Sequence, residues 1–104
     1  MPDDNLTLAD FQRQIAATFG ARDAARGTEA CFLWLVAEVG ELAEALRLKD
    51  PENLAGEFAD VLAWLTTLAN LTGVDMTTAV RRKYGTGCSR CGRSPCACPV
   101  AGKP

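Results

Sequence analysis

The feature that most constrains the fold is segment 28–48, where apolar residues recur at helical spacing and extend around much of the helix circumference. A helix that is apolar on several sides has to be buried on several sides. A chain of 104 residues suits one domain and can hardly supply that much cover, so we expect a partner subunit. The main predicted apolar side collects Cys31, Leu35, Val39, Leu42 and Leu46.

Three further helices are predicted from apolar periodicity and capping residues, and alternating strand patterns are missing. The sequence thus predicts an all-α protein, an antiparallel helical bundle completed by oligomerisation. The first of these helices is predicted over 7–19, with Thr7 and Asp10 as a capping box and Gly20 as the stop, and a polar loop follows over 21–27. The next is predicted over 51–72, with Asp50 and Pro51 at its start and Gly73 at its end. The last is predicted over 76–84 and is capped by Asp75.

From position 85 onward Gly, Pro, Cys, Ser and Arg dominate without any period, so we divide the chain into a helical domain, 1–84, and a cysteine-rich tail, 85–104. Two close pairs of thiols are what a tetrahedral Cys₄ zinc site needs, and a structural Zn²⁺ is our first interpretation. A tail with free thiols, or a redox or iron–sulfur role, are the alternatives. The expected zinc ligands are Cys88, Cys91, Cys96 and Cys98.

Several function classes are excluded by composition. The chain has no histidine, which removes Ser-His and Cys-His nucleophile systems and His zinc ligands. A net charge of −2 gives no basic footprint for nucleic acid. The longest apolar run, 30–37, is far too short for a membrane span, and the acidic N-terminus does not resemble a signal peptide. We therefore expect a cytoplasmic protein that has neither a membrane nor a nucleic-acid partner.

Two pairs of acids lie on consecutive predicted helices, Glu38 with Glu41 and Glu57 with Asp60. The i, i+3 spacing points both acids of a pair from one side of the helix, and Glu38 and Glu57 lie at the edge of apolar faces. Carboxylates at a buried boundary repel one another and are costly to desolvate, and a divalent cation such as Mg²⁺ relieves both costs. Solvated acids on a helix surface are the alternative.

These acids resemble the E-x-x-E … E-x-x-D signature of MazG-like nucleoside triphosphate pyrophosphohydrolases, over roughly residues 6–84. The resemblance implies an all-α homodimer or homotetramer that converts an NTP or dNTP to the monophosphate and pyrophosphate. It implies that Mg²⁺ is bound by Glu38, Glu41, Glu57 and Asp60, and we assign the base-like catalytic role to Glu41. The family motif often has a Glu in the place of Ala37.

Two further residues are candidates for binding the substrate. Trp64 lies two helical turns after Glu57, about 10 Å away, where it can stack on a nucleobase; packing in the core is the alternative. Lys83 matches a substrate-contacting lysine of similar proteins, with a solvated helix-terminal lysine as the alternative. The family commonly has Asn where this chain has Gly87. The departures from the family pattern at Ala37 and Gly87 leave open a second interpretation, in which the protein is a non-enzymatic interaction or regulatory module with a zinc-binding tail.

Overall fold

The computed structural model describes residues 5–99, which form four α-helices and contain no strand. The helices are α1 (Leu8–Arg26), α2 (Thr28–Leu48), α3 (Pro51–Thr72) and α4 (Met76–Tyr84). The all-α prediction is confirmed. Residues 85–99 contain no helix, and the last five positions of the predicted tail, like the N-terminal residues 1–4, lie outside the described residues.

The first helix is longer than its sequence predicts. We expected a stop at Gly20 and a loop over 21–27, but α1 continues to Arg26 and ends at Gly27, whose φ of 91° is rarely open to other residues. Glycine inside a helix costs only about 1 kcal/mol relative to alanine. The added turns carry Asp23, whose carboxylate accepts a hydrogen bond from Thr67 of α3, and this tertiary contact offsets the cost.

The other helix termini agree with the sequence. Asp50 and Asp75 accept hydrogen bonds from the backbone N–H groups of Asn53 and Thr78, as predicted for N-caps. Thr7 and Asp10 form the reciprocal capping box that was predicted for α1. Helices α2, α3 and α4 therefore begin and end where the sequence predicts.

Helices α2 and α3 form the most extensive helix–helix contact and run antiparallel, since Trp34 meets Trp64 while Glu38 meets Glu57 further along α2. The most covered positions of α2 lie at helical spacing, and α3 has a series of partly covered positions at the same spacing. These stripes are Cys31, Leu35, Glu38, Leu42 and Ala45 on α2, and Leu54, Glu57, Val61, Trp64 and Leu68 on α3. Each stripe therefore carries one glutamate in its middle. The buried residues of α3 are Thr66 and Thr67.

The prediction of which α2 residues are buried is only partly correct for the single chain. Cys31 is fully buried, as expected, but Val39 and Leu46 are about half exposed. The reason is that α2 is covered mainly by α3, so only the side facing α3 is enclosed. Leu33, the most exposed large apolar residue of α2, has 68% of its surface accessible.

One side chain of α1 joins three parts of the chain. The Gln12 amide donates a hydrogen bond to the carbonyl of Val74 (2.7 Å) and accepts one from the backbone N–H of Met76 (2.9 Å). Asn70 donates to the Gln12 carbonyl. These bonds fix the turn between α3 and α4 against α1. Across residues 5–99, no helix combines the length and the apolar character needed to cross a membrane.

Candidate active site and cysteine cluster

Three of the four predicted Mg²⁺ ligands come together where α2 and α3 pack. Glu38, Glu41 and Glu57 each place one carboxylate oxygen so that the three oxygens lie within 4.8 Å of one another. Glu38 and Glu57 are half-buried because they belong to the covered stripes, and Glu41 is exposed at the rim. Asp60 is not part of this close group.

Two of these carboxylates are incompletely satisfied. Among the residues that the structure describes, the Oε2 atoms of Glu38 and Glu57 are buried and receive no hydrogen bond. Burial, together with the charges of Glu41, Asp60 and Glu57, raises the pKa of Glu38 to about 6. Burial, with Glu41 and Asp60, also raises the pKa of Glu57. Buried, unpaired, mutually repelling oxygens are a fitting donor set for a hard divalent cation.

A cavity of about 340 Å³ adjoins the carboxylates, between α1 and α3. Asp60 lies in its wall, so the fourth predicted ligand faces this cavity as well as influencing the pKa of Glu38 and Glu57. Trp64, one turn further along α3, is also in the wall. Phe19, from α1, is 42% exposed and lines the same cavity.

Two side chains lie against the indole of Trp64. The ring of Trp34, from α2, is stacked at 5.9 Å between centroids with 13° between the planes. The guanidinium of Arg26, from α1, lies 5.2 Å from the Trp64 centroid. Trp34 is not in the core of the single chain, where 51% of its surface is accessible.

The cavity also contains polar residues that the sequence interpretation missed. Asp23 is buried and accepts hydrogen bonds from the Thr67 hydroxyl (2.8 Å) and from Arg26 (3.3 Å). Its segment was expected to be a loop. The signal that would have found it is spacing, because Asp23 extends the helical series of Ile15 and Phe19 by one more step of four residues.

A family model described as the MazG nucleotide pyrophosphohydrolase domain matches residues 26–86, more than half of the chain and all four predicted Mg²⁺ ligands. The chain belongs to the MazG family. A dATP/dGTP diphosphohydrolase of Cyanophage S-2L is 39% identical over 77 residues, which cover 74% of this chain and 70% of that protein. The MazG domain is a nucleotide pyrophosphohydrolase domain, and the enzymatic interpretation is confirmed over the non-enzymatic module.

Within the MazG domain, Lys83 lies on α4, whereas the three glutamates lie on α2 and α3. It is exposed on α4, its ammonium is 5.7 Å from the Tyr84 ring centroid, and it does not line the cavity beside Asp60. α4 itself packs mainly against α1. The predicted contact of Lys83 with substrate stays a prediction.

The second cluster lies beyond the MazG match. The four tail thiols, Cys88, Cys91, Cys96 and Cys98, lie within 4.8 Å of one another and could hold a metal ion. Three of the sulfur atoms accept a backbone N–H, at 3.3–3.4 Å. The turn requires glycine at position 87, where φ is 123° and a Cβ would lie 2.6 Å from the Arg93 carbonyl oxygen.

The thiols of this cluster differ in acidity. Backbone N–H groups of Cys91 and Arg90 lower the pKa of the Cys88 thiol to about 6. The neighbouring thiols of Cys96 and Cys88 raise the pKa of Cys98 to about 12. Four thiolates at this distance repel one another unless a cation lies among them, which is the arrangement of a structural Cys₄ zinc site.

Proposed function

We propose that this protein is a Mg²⁺-dependent pyrophosphohydrolase that converts a nucleoside or deoxynucleoside triphosphate to the monophosphate and pyrophosphate. The observation that carries the proposal is the group of three glutamate oxygens within 4.8 Å of one another. Two of these glutamates, Glu38 and Glu57, have a buried oxygen that receives no hydrogen bond from the part of the chain that the structure describes. An all-oxygen set of this kind suits Mg²⁺, and the adjoining cavity offers space for a nucleoside.

In this proposal the Mg²⁺ ligands are Glu38, Glu41, Glu57 and Asp60. Glu38 and Glu57 lie half-buried in the α2–α3 contact, while Asp60 faces the cavity. The ion supplies neutralisation of triphosphate charge and polarisation of the attacking water. This leaves the side chains to fix the α-phosphorus in line with the water.

The proton of the attacking water goes to Glu41, the exposed glutamate of the group. A bond forms between the water oxygen and the α-phosphorus, and the bond from the α-phosphorus to the bridging oxygen breaks. Pyrophosphate leaves with that oxygen. Trp64 and Lys83 contact the nucleotide, Trp64 through the base and Lys83 through the phosphates.

The function is tested by pyrophosphate release from a panel of ribo- and deoxynucleoside triphosphates with Mg²⁺. The panel begins with dATP and dGTP because a relative carries the name dATP/dGTP diphosphohydrolase. We expect turnover that disappears with EDTA and in the Glu38→Ala/Glu41→Ala variant. A wild-type protein without turnover on the whole panel, or a double variant with full turnover, would refute the proposal.

The enzyme is proposed to be a homodimer or homotetramer. The buried apolar residues within 5–99 are Ile15, Cys31 and Ala45, which is a small core for four helices. An apolar groove of about 730 Å³ lies along α2 and α3, and Leu33 and Phe32 form part of it. Leu33→Lys should shift the protein to the monomer in light scattering, whereas the exposed control Leu6→Lys should not.

The tail is proposed to hold one structural Zn²⁺ through its four cysteines, in a cytoplasm that keeps the thiols reduced. The supporting observation is the clustering of the sulfur atoms with their N–H donors. Metal analysis of purified protein should find zinc, which Cys88→Ser should lose and the control Cys31→Ala should keep. Wild-type protein without metal would overturn this part.

A further inference from the structure

The cavity between α1 and α3 has a distinct chemistry at each end. Asp60 interacts electrostatically with Glu38 and Glu57, and Thr67 lies two helical turns further along α3, hydrogen-bonded to Asp23 of α1. The rest of the wall combines apolar and aromatic side chains, including Ile15, Phe19 and Trp64, with the arginines Arg22 and Arg26. A nucleotide with its phosphates near Asp60 therefore has its base near Asp23.

Asp23 retains hydrogen-bonding capacity although it is only 4% exposed. Its Oδ2 accepts from the Thr67 hydroxyl at 2.8 Å, and its Oδ1 accepts from Arg26 at 3.3 Å. A carboxylate oxygen accepts two hydrogen bonds, so one acceptor position remains on each oxygen as far as residues 5–99 are concerned. Asp23 lies outside residues 26–86, the segment that matches the family model.

We propose that Asp23 reads the nucleobase and selects guanine, an inference that rests on the proposed nucleotide pyrophosphohydrolase function. Guanine is the base that presents two adjacent N–H donors, N1–H and the N2 amino group, which match the two remaining acceptor positions of the carboxylate. Adenine and cytosine place an acceptor nitrogen beside their amino group, and thymine flanks its one N–H with carbonyl oxygens. Each of these edges leaves a carboxylate oxygen facing another acceptor, which is costly in a buried site.

The surroundings of Asp23 fit this role. The cavity volume of about 340 Å³ is at the lower end of the range for small-molecule sites, which suits one nucleoside. The Thr67 hydroxyl and Arg26 hold the carboxylate in a fixed orientation, so its free acceptor positions are set before the base arrives. Enzymes that recognise a base in a pocket use the same combination of edge hydrogen bonds and apolar or aromatic walls.

The decisive comparison uses the wild-type enzyme with dGTP and with dITP, which differs from dGTP by the absence of the N2 amino group. Loss of one hydrogen bond to a charged acceptor should lower kcat/KM by about tenfold or more. Equal kcat/KM for the two nucleotides would overturn the inference. If no nucleotide is turned over, the proposed function itself fails, and calorimetric binding of dGTP and dITP with Ca²⁺ makes the same comparison.

Substitution of Asp23 gives a second readout that a merely structural role would not produce. In Asp23→Asn the side chain offers one donor and one acceptor, which matches the edge of adenine, so the ratio of kcat/KM for dGTP to that for dATP should fall by about 100-fold. The matched control Asp10→Asn, at an exposed pair with Arg13, should keep the wild-type ratio. A uniform loss with both nucleotides would contradict the inference, and the dITP comparison decides it if Asp23→Asn does not fold.

Discussion

Glu38 and Glu57 face each other across the antiparallel α2–α3 contact, and each has a buried Oε2 that receives no hydrogen bond within the described residues. Each glutamate lies in the middle of an otherwise apolar or weakly polar stripe. Packing of the two stripes thus brings two carboxylates together. Their repulsion destabilises the folded protein when no metal is bound, whereas a divalent cation between them would stabilise it.

Replacement of either buried glutamate should weaken metal binding and activity together. We expect Glu57→Gln to lower kcat/KM by about 100-fold or more, because a lost ligand removes part of a charge stabilisation worth several kcal/mol. Titration with Mg²⁺ or Mn²⁺ in a calorimeter measures the accompanying loss of affinity. Glu52→Gln, an exposed acid in the first turn of α3, is the matched control and should behave as wild type.

The stability of the metal-free protein should fall as the pH rises from about 4.5 to above 6. The folded-state pKa of Glu38 is raised to about 6, from an ordinary value of 4.5, by burial and by neighbouring acids. Between these two pH values the folded chain binds more protons than the unfolded chain, so unfolding becomes easier as the pH increases. Thermal unfolding in EDTA at pH 5 and pH 7 measures the difference in Tm.

The same pH series has an internal control. Glu38→Gln has no charge to desolvate and should show a smaller fall in Tm, and saturating Mg²⁺ should reduce the fall in the wild type. An identical pH dependence in Glu38→Gln would show that Glu38 is not the group responsible.

Trp64 should contribute to nucleotide affinity through its contact with the base. Stacking of a base on an aromatic side chain is worth about 1–3 kcal/mol, so Trp64→Leu should raise KM by about tenfold or more with a smaller change in kcat. The control Trp34→Phe retains an aromatic ring against Trp64 and should have a much smaller effect. Equal effects of the two variants would indicate that the pair is only a packing unit.

Lys83 should act on the phosphates, and the comparison with its neighbour isolates that role. Lys83→Ala should raise KM several-fold, whereas Arg82→Ala, an equally exposed cation on α4, should not. Since Lys83 does not line the cavity of its own chain, mixing Lys83→Ala with Glu57→Gln chains tests whether the lysine serves another subunit. Recovery of activity in the mixture would show that Lys83 serves another subunit. Equal effects of Arg82→Ala and Lys83→Ala would indicate that only the overall positive charge of α4 matters.

The two glycines of α1 should respond to alanine in opposite directions. Gly27 has a φ of 91° and a ψ of 159°, so Gly27→Ala should destabilise the protein by about 1–3 kcal/mol through backbone strain. Gly20 lies within the helix with open space around its Cβ position, so Gly20→Ala should stabilise it by about 0.5–1 kcal/mol. Denaturant unfolding measures both, and stabilisation by Gly27→Ala would contradict the observed helix end.

The sequence by itself determined α2, α3 and α4, because the apolar periodicity of α2 and the caps of α3 and α4 are local signals that tertiary contacts did not override. Asp50 with Pro51 and Asp75 start helices where expected, and Gly73 ends one. The i, i+3 spacing of the acids was equally local, and so was the bunching of the tail cysteines. The resemblance to the MazG family depends on the helices and the spaced acids, not on the tail cysteines, and it was accessible before any coordinates.

Only the tertiary structure decided the length of α1 and the composition of the cavity. Gly20 reads as a helix stop in isolation, but the hydrogen bond between Asp23 and Thr67, 44 residues apart, stabilises the longer helix. The structure also distinguished the three acids that converge from Asp60, which faces the cavity. Sequence spacing fixes which side of a helix a residue occupies, whereas the distance between two helices depends on how their faces pack, and packing is a property of the whole fold.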